Sequence, residues 1–237
     1  MKILIPMAGE GSRFSKEGYT FPKPLIDVEG KPMIQRVVEN LDFDAEYIFL
    51  VRKEHLQKYE GLNLTLDRIT NGRFKIVEVD CLTEGAACTA LLAKDYINTD
   101  DDLLIANSDQ IIEYSPENFK YLKSFSHVDG IVFCFNAVHP KWSFVKTDTR
   151  GVVVEVAEKT PISNIATCGI YWYRRGFDFV ECAEKMINKN IRANNEFYIA
   201  PVYNQFIESG KTLIPFFVHK MYGIGTPEDL NSFLERK

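Results

Sequence analysis

The hydrophobic positions of this chain fall into short apolar runs separated by polar, glycine-containing turns. Ile3 to Pro6 reads as a buried first strand, an uninterrupted apolar run too short for a helix. Tyr47 to Val51 and Leu103 to Ala106 repeat that pattern, and Phe74 to Val79, FKIVEV, alternates like a further strand. Between the first two runs, Met33, Ile34, Val37, Val38 and Leu41 follow helical spacing, and Pro32 suits the first turn of that helix. Arg52 to Tyr59 reads as a polar helix, and a second helix is expected from Ala86 through Ala93. Strand, loop and helix thus alternate four times. That order predicts an α/β fold, Rossmann-like, with a mostly parallel central sheet and helices on both faces.

The second half has a different texture. Gly130 to Ala137 is another buried strand, and Phe144 to Thr147 with Val152 to Ala157 reads as a hairpin around Asp148 to Gly151. Thr167 to Tyr173 is an aromatic strand, helices are expected near Phe177 to Asn188 and Ile199 to Ser209, and Thr212 to Val218 is a late strand. The expected organisation is one domain over 1–237, with a nucleotide-binding half near 1–110 and an acceptor-binding half near 111–237.

Composition narrows the classes. The 237 residues are 46% hydrophobic and 26% charged, the profile of an ordinary globular protein. A net charge of −5 gives no general nucleic-acid footprint. No apolar stretch approaches a membrane span, and the run at the start is too short for a signal-peptide core, so no membrane insertion is expected. Cys81, Cys88, Cys134, Cys168 and Cys182 are scattered without metal-ligand spacing, as in reduced thiols of a cytoplasmic enzyme. The four histidines share no spacing with a Ser or Cys, which argues against nucleophilic triad chemistry.

The chemistry concentrates after the first strand. The loop Met7-Ala8-Gly9-Glu10-Gly11-Ser12 can turn tightly and bring backbone N–H groups to an anion. Arg13 and Lys23 add two fixed positive charges, as a triphosphate requires. The spacing is neither G-x-x-x-x-G-K-[ST] nor G-x-G-x-x-G, since no Lys-Ser or Lys-Thr follows and Phe14 takes the third glycine position. A tight turn with a solvated Arg and Lys is the bland alternative. Asn107-Ser108-Asp109-Gln110 ends the fourth strand, where open α/β sheets place ligands, and Asp109 is the candidate Mg²⁺ ligand. Its alternative is a turn cap. The triplet Asp100-Asp101-Asp102 reads as a solvated turn.

The string A-G-x-G-S-R-F followed by P-K-P-L resembles the signature of the sugar nucleotidyltransferases, the nucleoside-diphosphate-sugar pyrophosphorylases. The resemblance is strongest from Ile3 to Met33, good over Thr83 to Asp109 and Ala157 to Tyr173, and weaker at the C-terminus. It implies the same fold, nucleotidyltransferase or GT-A-like. The first loop with Arg13 and Lys23 would bind the triphosphate, and Thr83, Gly85 and Ala86 would read the nucleobase. Asn107 and Ser108 would lie along the nucleotide, and Asp109 would hold Mg²⁺. Lys159 would hold the acceptor's phosphate and Glu158 its body, near Gly169. Asn195 and Glu196 would bind hydroxyls or an amine, although they read equally well as helix caps. The family often carries an aspartate directly before I-G-T-P-E-D; here Gly223 stands there, which leaves the second metal ligand open.

The implied partners are a nucleoside triphosphate and a small phosphorylated acceptor, with a homodimer as the oligomer the resemblance suggests. The text HPKWSFVKTD…EVAEKTPISNIATCGIYWY resembles a subgroup of bacterial capsule or surface-polysaccharide synthesis, the phosphoglutamine cytidylyltransferase type, which implies CTP. A sugar 1-phosphate with UTP, dTTP or GTP is the runner-up. Two other classes stay open: a glycosyltransferase of related fold, although Asn107-Ser108-Asp109 has one acid where an Asp-x-Asp would have two, and a non-catalytic nucleotide-binding regulator.

Overall fold

A computed structural model of the chain describes residues 1–236. The first strand, β1 (Lys2–Pro6), buries Ile3, Leu4 and Ile5 completely. The one-and-a-half-turn α1 (Ser12–Lys16), the small hairpin β2 (Asp27–Val28) and β3 (Lys31–Pro32), and α2 (Met33–Leu41) follow. All five residues of the expected helical stripe are buried in α2. Pro32 stands just outside it, in extended backbone at φ −55° and ψ 142°, and not within the first turn. Met33 N–H instead donates to Ile26 O at 2.8 Å, which pins the helix start to the segment leading into the hairpin.

Next come β4 (Glu46–Arg52), α3 (Lys53–Lys58), α4 (Gly61–Thr70), β5 (Phe74–Val79), α5 (Ala86–Leu91) and α6 (Lys94–Ile97). The helix expected through Ala93 is therefore broken after Leu91 and resumes at Lys94. β6 (Leu103–Ala106), β7 (Gln110–Glu113) and α7 (Pro116–Ser124) complete the first half. The second half contains β8 (Gly130–Asn136), the hairpin β9 (Ser143–Thr147) and β10 (Val153–Glu158), β11 (Ile165–Tyr173), α8 (Gly176–Asn188), α9 (Val202–Glu208), β12 (Leu213–Phe217), β13 (Lys220–Gly223) and α10 (Pro227–Leu234). α9 starts later than the expected Ile199 because its first backbone turns run from Ile199 O and Ala200 O.

The main sheet has nine strands, with the order β10-β9-β11-β6-β1-β4-β5 and with β8 and β12 branching from β11. β6, β1, β4 and β5 are mutually parallel, which gives the Rossmann-like core expected from the alternation. β11 joins it antiparallel to β6, with Ile170 opposite Ala106. The second half therefore extends the same sheet. β7 and β13 form a separate antiparallel pair beside it.

Alternation along the parallel strands divides the core. Leu4, Ile48, Leu50, Leu103 and Ile105 face one layer, with residues of α5, α8 and α9. Ile3, Ile5, Tyr47, Phe49 and Leu104 face the other, with residues of α2, α4 and α7. Strands covered on both sides read as continuous apolar runs, which is why they stand out in the sequence. A third, smaller cluster joins Phe14 of α1, Ile26, Val28 and Met33 to Ile224, Leu230 and Phe233. It fastens the start of the chain to its last helix and so supports the loop between them.

Asp100 and Asp101 are exposed, as a solvated turn requires, but Asp102 departs from that reading because it is half-buried and paired. Burial opposes its ionisation, but the Lys123 ammonium, the Trp172 indole N–H (3.1 Å) and the chain's terminal amine outweigh that and lower its pKa below 3.8. A carboxylate held below its unfolded value contributes stability above that value and loses it as pH falls through the folded pKa. Asp102→Asn should therefore lower unfolding stability at neutral pH by about 2 kcal/mol, as for hydrogen bonds to a charged group, and the gap to wild type should close in acid. Denaturant titrations at both pH values check this; equal midpoints at neutral pH would contradict it.

Candidate active site

Parallel β1 and β6 deliver the loops that follow them to one edge of the sheet. Because β11 runs antiparallel to β6, it brings its early residues, Thr167 to Gly169, to that edge as well. The β9–β10 pairing of Ser143 with Glu158 adds a further wall. Together these elements line a cavity of about 790 Å³, large enough for two small-molecule substrates.

On one side of the cavity, Met7, Ala8, Gly9, Glu10, Gly11, Ser12 and Arg13 all reach the lining, with Lys23 across from Gly11. Gly11 has φ +63°, and a Cβ there would lie 3.3 Å from Lys23 Cβ. A side chain at that position would thus be strained and would crowd the lysine. The Lys23 ammonium donates to Asp109 Oδ2, so the first loop and the end of β6 meet at this ion pair. Ile224 N–H donates to Asp109 O at 2.9 Å, which ties the last segment of the chain to the same point. Arg13 is exposed and has no carboxylate partner among the described residues. Asn107 and Ser108 line the cavity between this loop and β11, and Asn107 N–H donates to Gly169 O at 2.9 Å.

Thr83, Gly85 and Ala86 line a second side, together with Thr89, which the sequence did not single out. Thr83 Oγ1 and Thr89 Oγ1 lie 2.6 Å apart, and both hydroxyls also reach Gly85 O, at 2.9 and 3.2 Å. Gly85 has φ +139°, and a Cβ there would sit 2.5 Å from Phe197 N and O. The turn can therefore press directly on the chain near Phe197 only because residue 85 has no side chain.

The third side gathers Glu158, Lys159, Gly169 and Glu196 with Lys141, Trp142, Ser143, Thr167, Tyr171 and Tyr198. Ser143 Oγ bonds the Glu158 carboxylate. Tyr171 Oη and Thr167 Oγ1 lie 3.2 Å apart on the same wall. Lys159 adopts the left-handed conformation (φ 54°), uncommon for a residue with a side chain. Its ammonium donates to Tyr198 Oη at 2.6 Å and lies 4.6 Å from the centre of that ring. Lys141 Nζ donates to Asp229 Oδ1 at 2.9 Å and lies 4.6 Å from the Trp142 ring centre, and these three residues also line the cavity. These added residues come from loops and strand ends far apart in the chain, so no contiguous motif marks them.

Asn195 is the exception among the candidates, because it does not line the cavity. Asn194 and Asn195 both have positive φ, at 48° and 65°, in a tight turn closed by Ala193 and Glu196. That turn directs Glu196 to the cavity, while Asn195 O accepts from Arg192 Nη1 at 3.1 Å. The segment is a turn, so the helix-cap alternative does not apply.

The donor set also indicates what kind of metal the site could hold. Among the described residues no three His, Cys, Asp or Glu side chains group to hold a metal by themselves. Asp109 and Asp229 are both on the cavity wall, and a Cβ at Gly223 would lie 3.7 Å from Asp229 Oδ2. A second carboxylate thus adjoins the place where a side chain at 223 would project. One or two hard oxygens suit a divalent ion that takes its other ligands from phosphate and water, as magnesium does. They do not make a cage for a resident metal.

Burial raises the Glu158 pKa above 4.5, against the lowering effects of the Ser143 hydroxyl and the Lys159 charge. A raised carboxyl pKa means that its stabilising contribution is complete below the unfolded value and is lost as pH rises through the folded one. Glu158→Gln, which keeps a partner for Ser143, should raise the stability of the ligand-free protein at neutral pH and flatten its decline with rising pH. Melting curves across that range test the sign; a less stable variant at neutral pH would contradict it.

Known proteins share this fold. The sequence profile of the nucleotidyl transferase family matches residues 2–234. The chain is 28% identical over 190 residues to the bifunctional protein GlmU of Methanocaldococcus jannaschii, covering 76% of this chain but 42% of that protein. It is 33% identical over 142 residues to a mannose-1-phosphate guanyltransferase of Saccharomyces cerevisiae, covering 55% of this chain and 36% of the yeast one. It therefore spans less than half the length of these relatives. The crystal structure of a nucleoside-diphosphate-sugar pyrophosphorylase from Vibrio cholerae superposes with a TM-score of 0.84 at 26% identity, over 99% of this chain and 100% of that one. With a profile match over nearly its whole length, the chain belongs to the nucleotidyl transferase family.

Proposed function

We propose that the protein transfers a nucleoside monophosphate from a nucleoside triphosphate to a small phosphorylated acceptor and releases pyrophosphate. The observation that carries this reading is the meeting of the glycine loop, Arg13, Lys23 and Asp109 at one end of a cavity whose far wall holds Glu158 and Lys159. An acceptor phosphate oxygen forms the new bond to the α-phosphorus, and the bond from that phosphorus to the bridging oxygen of pyrophosphate breaks. No covalent intermediate with the protein is needed, so the chain's task is positioning and charge neutralisation.

Each residue has a distinct part. Arg13, exposed at the loop, holds the leaving pyrophosphate, and Lys23 transfers its charge from Asp109 to the α-phosphate. Asp109, with Asp229 as the second carboxylate on the wall, would hold a divalent cation, magnesium in this reading. Bound there, that cation supplies further neutralisation of the phosphates. Lys159, now resting on Tyr198, takes the acceptor's phosphate, and Glu158 with Glu196 reads the rest of the acceptor.

CTP is the donor this reading favours. The Thr83 and Thr89 hydroxyls share two protons between each other and Gly85 O, which leaves oxygen lone pairs for a donor on the base, whether an exocyclic amine as in cytosine or guanine or the N3–H of uracil or thymine. The choice of cytosine rests on the resemblance of the His139 to Tyr173 text to the cytidylyltransferase type. A phosphoglutamine-like acceptor of surface-polysaccharide synthesis suits carboxylates and a lysine on the acceptor wall. The second reading is a sugar 1-phosphate with UTP, dTTP or GTP. It is favoured by the guanyltransferase relative and by the sugar-nucleotide enzyme from Vibrio cholerae.

Thermal stability with CTP, UTP, dTTP, GTP and ATP, each with Mg²⁺ and again with chelator, tests the donor. A triphosphate at about 100 times its dissociation constant should add roughly 2.7 kcal/mol, and the expected result is a Mg²⁺-dependent shift, largest with CTP. A shift with a nucleotide-sugar and none with any triphosphate would replace this reading with a glycosyltransferase. Lys23→Ala should slow pyrophosphate release by about 10²-fold or more, and near-wild-type turnover would remove Lys23 from the chemistry.

A further inference from the structure

The turn at Thr83 to Ala86 and the segment at Glu196 to Tyr198 face the same cavity from sequence positions more than a hundred residues apart. They are in direct contact. Phe197 N–H donates to Glu84 O at 2.9 Å, Ala87 N–H donates to Phe197 O at 2.9 Å, and Gly85 leaves no room for a Cβ between them. Behind this contact, outside the cavity, stands Arg192. Its guanidinium pairs with the Glu84 carboxylate, donates to Asn195 O at 3.1 Å and to Asn190 Oδ1 at 2.7 Å, and lies 3.9 Å from the centre of the Phe197 ring.

An isolated surface ion pair is worth little. Arg192 differs because its planar fork engages four partners at once and spans the two segments, so few orientations satisfy it. Its side chain is 28% exposed and Glu84 is 68% exposed, so neither is needed to fill the core.

We infer that Arg192 and Glu84 form a positioning clamp. It fixes the nucleobase-facing turn against the acceptor-facing segment, so that base discrimination is set from the acceptor side of the cavity. The inference rests on the nucleotidyl-transfer reading above. Arg192 is a positioning residue and touches no substrate. Its loss leaves that turn held to Phe197 by the two backbone hydrogen bonds alone, so that Thr83 and Gly85 are less closely fixed, and leaves the glycine loop, Arg13 and Lys23 as they are.

The test compares two ligands on the intact protein. For Arg192→Ala, the triphosphate that shifts the wild type most should bind about fivefold more weakly or worse, the lower end of ordinary site-to-site coupling. Inorganic pyrophosphate, which needs only the glycine loop and its two cations, should bind as to the wild type. The affinity ratio between the best and second-best triphosphates should shrink. Glu84→Gln should show the same pattern more weakly. Equal weakening of triphosphate and pyrophosphate would mean that Arg192 only supports the fold, and unchanged triphosphate affinity and selectivity in both single variants would overturn the clamp. A wild type that binds no triphosphate would overturn the nucleotidyl-transfer reading itself.

Discussion

The ion pair between Lys23 and Asp109 is the contact on which the site depends, because it joins two loops that the sheet brings to one edge. Both side chains are part-buried, at 22% and 27% exposure. The pair's importance is geometric. It holds a lysine beside the glycine loop and a carboxylate at the tip of β6, with Ile224 bonded to the same aspartate's carbonyl. A polyanion with a divalent cation can exchange partners with such a pair: the ammonium goes to phosphate and the carboxylate to the metal. The pair thus keeps both charges in place and satisfied in the ligand-free protein.

The remaining architecture fixes those loops. The two large apolar layers on either face of the parallel strands make the edge rigid, and the small cluster around Phe14, Met33, Ile224 and Phe233 braces the first loop against the last helix. The antiparallel arrival of β11 beside β6 has the largest functional consequence. It places Thr167 to Gly169 next to Asn107, so the wall that carries Glu158 and Lys159 grows from the same sheet as the wall that carries the glycine loop. One continuous cavity results.

The fold's parallel strands were legible because residues buried on both faces must be apolar at every position, as at Ile3 to Ile5 and Leu103 to Ala106. α4 and α7 were not legible. α7 buries only Phe119, and in α4 the buried Leu62 and Leu66 alternate in sequence with the exposed Leu64, a period that does not single out a helix. Site residues followed the same logic. Met7 to Arg13 and Lys23 declare themselves because their chemistry lies close together in sequence. Thr89, Lys141, Tyr198 and Asp229 are ordinary residues until folding brings them to the cavity. Asn195 was misplaced by a single backbone feature, the left-handed turn at 194–195 that sends its neighbour Glu196 to the cavity.

The most direct measurement is a crystal structure of the protein with Mg²⁺ and a CTP analogue that cannot be cleaved at the α–β bridge. The account predicts the triphosphate along Met7 to Arg13, with the Lys23 ammonium moved from Asp109 to a phosphate oxygen and Asp109 facing the metal. Phosphates bound elsewhere in the cavity, with Lys23 still paired to Asp109, would contradict it.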